Sequence, residues 1–325
     1  MLSGVHHAAA AVGGATLCGL FAVGRRAAHQ EDPDFDLSSV INELRPPPPP
    51  SRADGRRVAA FFDVDGTLYS VKGDPTGAST VVLHLLRMAA WRGIGAPVRA
   101  ALLLPLLVVL FLLDKADRVF SMWFMSTLQL TGIPVAVMED YVRGFAESDT
   151  FQSMLVPSAC ARLEHHLQQG HIVILVSASG MPITKPIAEH FKAHVACGSH
   201  CPSVHVSVRG EYGERISRAH FKNALLVGEV KSQALALMFE RYNIDAAASF
   251  AYSDHPTDEG MLAAVGHPFA INPVKKMRKL ASTRGWPVLE DDSVPEAGQS
   301  FKTVLEDLWR EGLPVLFGAA VSSKL

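Results

Sequence analysis

Cysteine is scarce in this chain. Cys18, Cys160, Cys197 and Cys201 are scattered over 325 residues. Cys197 and Cys201 form a lone C-x3-C with no second pair at metal-ligand spacing, which argues against a zinc site. Free, buried thiols fit better, and a reducing compartment is compatible with them. Charge of one sign is lacking too, since the formal net charge is −2. A generic nucleic-acid binder would carry a basic stripe; none is visible, so no nucleic-acid partner is expected. Nor does "AALLLPLLVVLFLL" (100–113) reach a full membrane span. It holds fourteen uncharged residues between Arg99 and Asp114, with Pro105 inside. A span needs about 20 residues. A buried helix, a re-entrant segment or an interfacial anchor suits that length, with Trp91 upstream as an interface residue.

Acidic residues are absent from positions 1–30, where an Ala/Gly-rich apolar stretch ends at Arg25 and Arg26. Residues 1–45 read as a targeting or anchor segment, or as a disordered tail. Contact with a membrane, through this segment and 100–113, is expected alongside a membrane-associated or organellar location facing a reducing compartment. Residues 46–56 begin with five prolines and read as an extended spacer. The folded part is expected to start near Arg57.

From there strands alternate with helices. "RVAAFF" (57–62), "HIVILV" (171–176) and "SFAYS" (249–253) are short runs, apolar on both faces, as in a parallel sheet covered by helices. "KSQALALMFERY" (231–242) and "PTDEGMLAAVG" (256–266) read as helices, the second with Pro256 near its start and Gly266 at its end. The expected fold is α/β, a doubly wound, Rossmann-like parallel sheet over 57–71 and 166–292. The interval 72–165 lacks convincing strands and reads as an inserted helical domain, and 293–325 as a helical tail. Ligands of such sheets sit beyond the carboxyl ends of the strands, where Asp63, Ser177 and Asp254 all fall.

"FFDVDGTLY" (61–69) carries the first chemistry. Two carboxylates at a buried strand's tip are costly unless a cation or a reaction uses them. Asp63 at the strand end can hold Mg²⁺ and still present an oxygen to phosphorus. Asp65 can point into the same cavity as a general acid. Gly66 permits a tight turn over a bound anion, and Thr67 can pin that turn through its hydroxyl. An ordinary Asp-Gly turn is the bland alternative. At average composition, however, D-x-D-G-T arises only about once in 10⁵ positions. Taken singly, Ser177 reads equally well as a helix N-cap, Asp254 as a cap for the 256–266 helix, and Lys231 as a solvated lysine.

"FFDVDGTLY", "HIVILVSASG", "GEVKSQAL" and "AYSDHPTDEGML" together resemble, in order and spacing, the four motifs of the haloacid-dehalogenase-like phosphohydrolases. The likeness runs from about Val58 to Leu289, and the closing "VGHPFAINPVKKMRKLASTRGWPVL" is similar to the phosphoserine-phosphatase-like branch, which carries a helical cap between motifs one and two. The resemblance implies Asp63 as the nucleophile that forms an aspartyl-phosphate, and Asp65 as the acid and base. It implies Mg²⁺ held by Asp63, Asp254 and the backbone carbonyl of Asp65, with Asp258 orienting either a water or Lys231. Ser177, the N–H of Ala178, Lys231 and the Gly66 turn would receive the phosphoryl oxygens. The glutamate by which phosphoserine phosphatases read the substrate ammonium is missing from "YSVKGDPT" (69–76), so the implied substrate is a phosphorylated small molecule or a lipid-derived phosphate. A phosphotransferase with a non-water acceptor uses the same residues, and a catalytically silent membrane- or partner-binding module is the reading from another class.

Overall fold

The computed structural model describes residues 25–26, 29–50, 52–70, 120, 123–124, 130–208, 211–216 and 224–291. Segment 100–113, residues 1–24 and the tail 293–325 lie outside the described residues. Among those described, no helix is long and apolar enough to cross a membrane.

The strand Ala59–Phe62 (β2) is the middle of a sheet because none of its side chains tolerates water: all four are fully buried. It pairs in parallel with Ile172–Gly180 (β3) on one side and Phe250–Ser253 (β7) on the other. Val195–Ser199 (β4) extends the sheet beyond β3, and His267–Ile271 (β8) and Val288–Leu289 (β9) extend it beyond β7, all in parallel. With Ile41–Glu43 (β1) at the outer edge, the order is β1-β4-β3-β2-β7-β8-β9. The chain thus winds outward in both directions from β2, and the crevice of such a sheet opens where the direction reverses.

Period-two alternation divides the core between two faces. Ala60, Phe62, Val173, Leu175 and Tyr252 face helices Val135–Ala146 (α1), Pro157–Gln168 (α3) and Met181–His190 (α4). A short helix, Asp149–Gln152 (α2), lies between α1 and α3. On the other face, Ala59, Phe61, Ile172, Ile174 and Ala251 meet Glu229–Arg241 (α5), Glu259–Ala263 (α6) and Lys275–Arg284 (α7). Each buried Phe contributes about 1.5–3 kcal/mol to this packing. A hairpin of Ser203–Val208 (β5) and Glu211–Ile216 (β6) follows β4. It is tied to the 132–134 segment, as Gly132 N–H donates to the Ile216 carbonyl at 2.8 Å and Ile216 N–H to that of Ile133 at 3.1 Å.

Two expectations need correction. The sheet begins before Arg57, because β1 pairs antiparallel with β4 and Val40 beside it is fully buried. Three residues are too few to reveal a period, and the flanking acids and prolines disguise them. The proline run beyond β1 lies along the core, with the Pro48 carbonyl accepting from the Arg57 guanidinium at 3.0 Å. Helix α3 also runs past residue 165, where the inserted interval was expected to end, and its Ala159 and Leu163 are buried in the same core as β2 and β3. Cys160, Cys197 and Cys201 are free thiols, as expected.

Gly266, expected as a helix end, has a stricter duty. Helix α6 stops at Ala263, and a β-carbon on Gly266 would collide with the Ala247 carbonyl, whose neighbour Ala246 accepts the Gly266 N–H at 2.9 Å. Gly266→Ala should therefore cost about 1–3 kcal/mol by overpacking. Exposed Gly144 in α1 has open space around it, and Gly144→Ala should stabilise by about 0.5–1 kcal/mol. Thermal melts followed by circular dichroism check both signs.

Candidate active site

Strand β2 ends at Phe62 and delivers Asp63 to the carboxyl edge of the sheet. The chain then curls into one tight turn. The Val64 carbonyl accepts from the N–H groups of Thr67 and Leu68, and Gly66 N–H donates back to the Tyr69 carbonyl at 2.9 Å. Gly66 adopts φ +88°, and a β-carbon there would lie 2.5 Å from Asp254 Oδ2. Glycine is thus required both for the turn and for the approach of the β7 end. Thr67 joins the two strand ends. Its hydroxyl lies 3.3 Å from Asp63 Oδ2 and from Asp254 Oδ1, and it accepts the Asp254 N–H at 3.1 Å. The expected pinning role of Thr67 is therefore played across strands rather than within its own loop.

Lys231 enters from the first turn of α5. A cation is electrostatically misplaced at a helix N-terminus, but Lys231 lies on the same helical stripe as buried Ala234, Leu235 and Met238. It is only 2% exposed. Its Nζ stands 2.7 Å from Asp63 Oδ1 and 2.9 Å from Asp258 Oδ2. Asp258 also accepts from the Ser253 hydroxyl at 2.7 Å. Of the two tasks expected for Asp258, the geometry matches the one toward Lys231. Burial, then Asp258 and Asp63, shape the lysine: desolvation opposes its charge, yet the two carboxylates hold its pKa above the ordinary value.

One lysine does not balance this cluster. Burial lifts the Asp63 carboxyl to about 7 against the pull of Lys231, with Asp258 and Asp65 adding to the rise. Asp254 is raised well above the usual carboxylate range by burial and by the charges of Asp63 and Asp258. Among the described residues, no three His, Cys, Asp or Glu side chains close into a metal cage. A hard cation that takes one or two carboxylates and completes its shell with carbonyl, water and phosphate oxygens fits the surplus negative charge of Asp63 and Asp254. Mg²⁺ has those preferences.

Asp65 faces the other way and is exposed. Its Oδ2 accepts from the hydroxyls of Ser177 and Ser179, each at 3.0 Å, and its Oδ1 from the Tyr69 phenol. Ser177 Oγ also accepts the Ser179 N–H at 2.9 Å, at an irregularity in the pairing of β3 with β4. The backbone at Ala178 is held by Ser199, whose hydroxyl donates to its carbonyl at 2.6 Å.

The residues singled out from sequence therefore converge. Asp63, Thr67, Asp254, Lys231 and Asp258 form one bonded network, with Gly66 packed against it; Asp65, Ser177 and Ala178 form the adjoining one. The Asp-Gly turn is present, but the bland readings of Ser177, Asp254 and Lys231 fail. Gly180 rather than Ser177 caps α4, His255 rather than Asp254 caps the turn at Pro256, and Lys231 is buried. Sequence reasoning overlooked Tyr69, Ser179 and Ser253. Ser179 was open to discovery, because residues i and i+2 of a strand share a face. Tyr69 carried no such signal, since only the turn brings its ring back to Asp65.

Comparison with known proteins identifies the family. A family model described as haloacid dehalogenase-like hydrolase matches residues 60–263. A Mycobacterium tuberculosis (strain H37Rv) protein named as a probable phosphatase is 31% identical over 259 residues, covering 78% of this chain and 82% of that one. A phosphoserine phosphatase of the same organism is 30% identical over 123 residues, 38% of this chain and 37% of that one. The fold is shared with a crystal structure of a Bordetella pertussis protein of unknown function, at 22% identity and a TM-score of 0.53, covering 72% of this chain and 98% of that one. The family model spans well over half of this sequence and contains Asp63, Asp65, Ser177, Lys231, Asp254 and Asp258: the chain belongs to the haloacid dehalogenase-like hydrolases.

Proposed function

We propose that the protein is a Mg²⁺-dependent phosphomonoester phosphatase that works through an aspartyl-phosphate at Asp63. The observation that carries this reading is the buried Lys231–Asp63 contact of 2.7 Å at the carboxyl edge of β2, with Asp254 held beside it. A carboxylate fixed by an ammonium group on Oδ1 presents its other oxygen, steadied by the Thr67 hydroxyl at 3.3 Å, to phosphorus. The mycobacterial relative named as a probable phosphatase supports the same class of reaction.

Asp63 attacks phosphorus as the ester P–O bond breaks, and the departing oxygen takes the proton carried by Asp65. Water then attacks the aspartyl-phosphate and gives a proton to the Asp65 carboxylate. The Asp63–phosphorus bond breaks, which restores the Asp63 carboxylate and releases inorganic phosphate. Ser177 turns from Asp65 toward a phosphoryl oxygen, joined by the N–H of Ala178, while Lys231 keeps Asp63 aimed and offsets the gathering charge. Asp63 and Asp254, with the Asp65 carbonyl, would hold Mg²⁺, which supplies positive charge to the phosphoryl oxygens. Asp258 anchors Lys231. The inserted interval would serve as the cap that selects the substrate, a small or lipid-derived phosphate. The absence of a glutamate from residues 69–76 disfavours phosphoserine.

Two outcomes are expected. Purified protein with Mg²⁺ should release phosphate from an aryl phosphate, Asp63→Asn should abolish release, and Lys231→Met should slow it by about 10²–10³. Mg²⁺-independent turnover that survives Asp63→Asn would refute the mechanism.

The second outcome concerns stability. The folded-state values of Asp63 and Asp254 lie above the ordinary 3.8. For carboxylates raised in this way, the folded state binds the extra protons. Their stabilising contribution is complete below about pH 4 and is lost as pH rises through the Asp63 value of about 7. A bound cation relieves the same repulsion. Mg²⁺ should therefore raise the melting temperature more at pH 8 than at pH 5, and Asp254→Asn should remove most of that gain. Equal shifts at both pH values would count against a cation at this carboxylate pair.

A further inference from the structure

We propose that Tyr69, with Ser179 in support, is the positioning residue that aims Asp65 at the leaving group. The inference rests on the reading of Asp65 as the proton donor and acceptor. Asp65 is the one aspartate of this site that is exposed. An exposed carboxylate is free to sample several rotamers, and a general acid is effective only when its proton points at the departing oxygen. Something must therefore restrict Asp65, and three hydroxyls are in place to do so.

These hydroxyls are not equivalent. Ser177 donates to Asp65 Oδ2, but on the proposed mechanism it is drawn away to a phosphoryl oxygen when substrate arrives. Ser179 donates to the same Oδ2 at 3.0 Å and has no such competing duty. Among the described residues Tyr69 alone reaches Oδ1, so with Ser179 it fixes the carboxylate at both oxygens.

Tyr69 is well built for this task. It is 7% exposed, and its ring packs 5.1 Å from that of Phe151. Its backbone is held where the two ends of the inserted interval meet. Tyr69 bridges to Leu155, Ser70 N–H donates to the Met154 carbonyl at 2.8 Å, and Val156 N–H donates to the Leu68 carbonyl at 2.9 Å. The phenol is thus immobilised from behind and offers its one O–H to Asp65. Tyr69→Phe removes that donor and leaves the ring in its packing.

A positioning role differs from a merely structural one in its dependence on the leaving group. Phenyl phosphate expels a basic phenolate that needs a proton, whereas 2,4-dinitrophenyl phosphate expels an anion that departs unaided. The quantity to compare is kcat/KM, which reports phosphoryl transfer to Asp63 and not the later hydrolysis. In the full chain, Tyr69→Phe should lower kcat/KM for phenyl phosphate by about 10-fold and for the dinitrophenyl ester by less than about 3-fold. Asp65→Ala should show the same selectivity more strongly, and adding Tyr69→Phe to Asp65→Ala should cost nothing further. Ser179→Ala, which leaves the core untouched, should reproduce the pattern in smaller measure, and it serves if the melting temperature of the Phe variant drops. Equal slowing of both esters, no slowing of phenyl phosphate, or an additive loss in the Asp65→Ala background would overturn the positioning role while the phosphatase reading stands. Wild-type protein inert toward both esters would overturn that reading and the positioning role with it.

Discussion

Lys231 is buried between Asp63 and Asp258, and the rest of the site is arranged around that contact. Bringing an ammonium group and two carboxylates out of water costs several kcal/mol per ion before their attraction offsets it. The cost is met only in the geometry observed, with one carboxylate oxygen 2.7 Å and another 2.9 Å from Nζ. The contact therefore constrains three elements at once: the end of β2, the first turn of α5 and the turn after β7. It also leaves a surplus of negative charge, because Asp254 adds a carboxylate for which the described residues provide no further cation. A fold that sought stability alone would fill this place with apolar side chains. Strongly perturbed groups concentrated at a sheet's open edge are instead what a reaction site requires.

The site divides into a rigid part and an accessible part, separated by a single residue. Asp63, Thr67, Lys231 and Asp258 are buried and bonded to one another. Asp65, two positions along, lies at the mouth with Ser177 and Ser179. Val64 between them is itself buried, and its carbonyl organises the turn. An attacking oxygen gains from being fixed, whereas a proton carrier must meet both the leaving group and water. Placing the two carboxylates on opposite sides of one tight turn gives each the environment that the proposed chemistry needs, and Gly66 is the residue that allows the turn to be that tight.

The family relationship and the geometry support each other without being the same argument. Relatives at about 30% identity establish descent from a hydrolase fold. They do not say which atoms meet. The contacts of Lys231, Thr67 and Tyr69 come from the packing of this particular chain, and the cradle around Asp65 uses a tyrosine and a second serine whose parts no motif announces.

Much was legible in the sequence for a physical reason. Strands buried on both faces must be continuously apolar, so β2, β3 and β7 stand out, and charged residues at their tips stand out further. Asp63, Asp65, Ser177 and Asp254 stand at or just past those tips, whereas Lys231 and Asp258 were singled out by the resemblance of their motifs to those of the family. Elements whose stability comes from neighbours were not legible. Strand β1 exists because β4 offers it an edge, β8 forms in spite of Pro268 because β7 and β9 flank it, and Gly266 is required by a carbonyl about twenty residues away in sequence. Local sequence supplied the residues from which the proposed chemistry is built. Only the tertiary structure decided which oxygen faces which donor, because hydrogen bonds between residues far apart in sequence depend on how helices and strands pack rather than on any pattern along the chain.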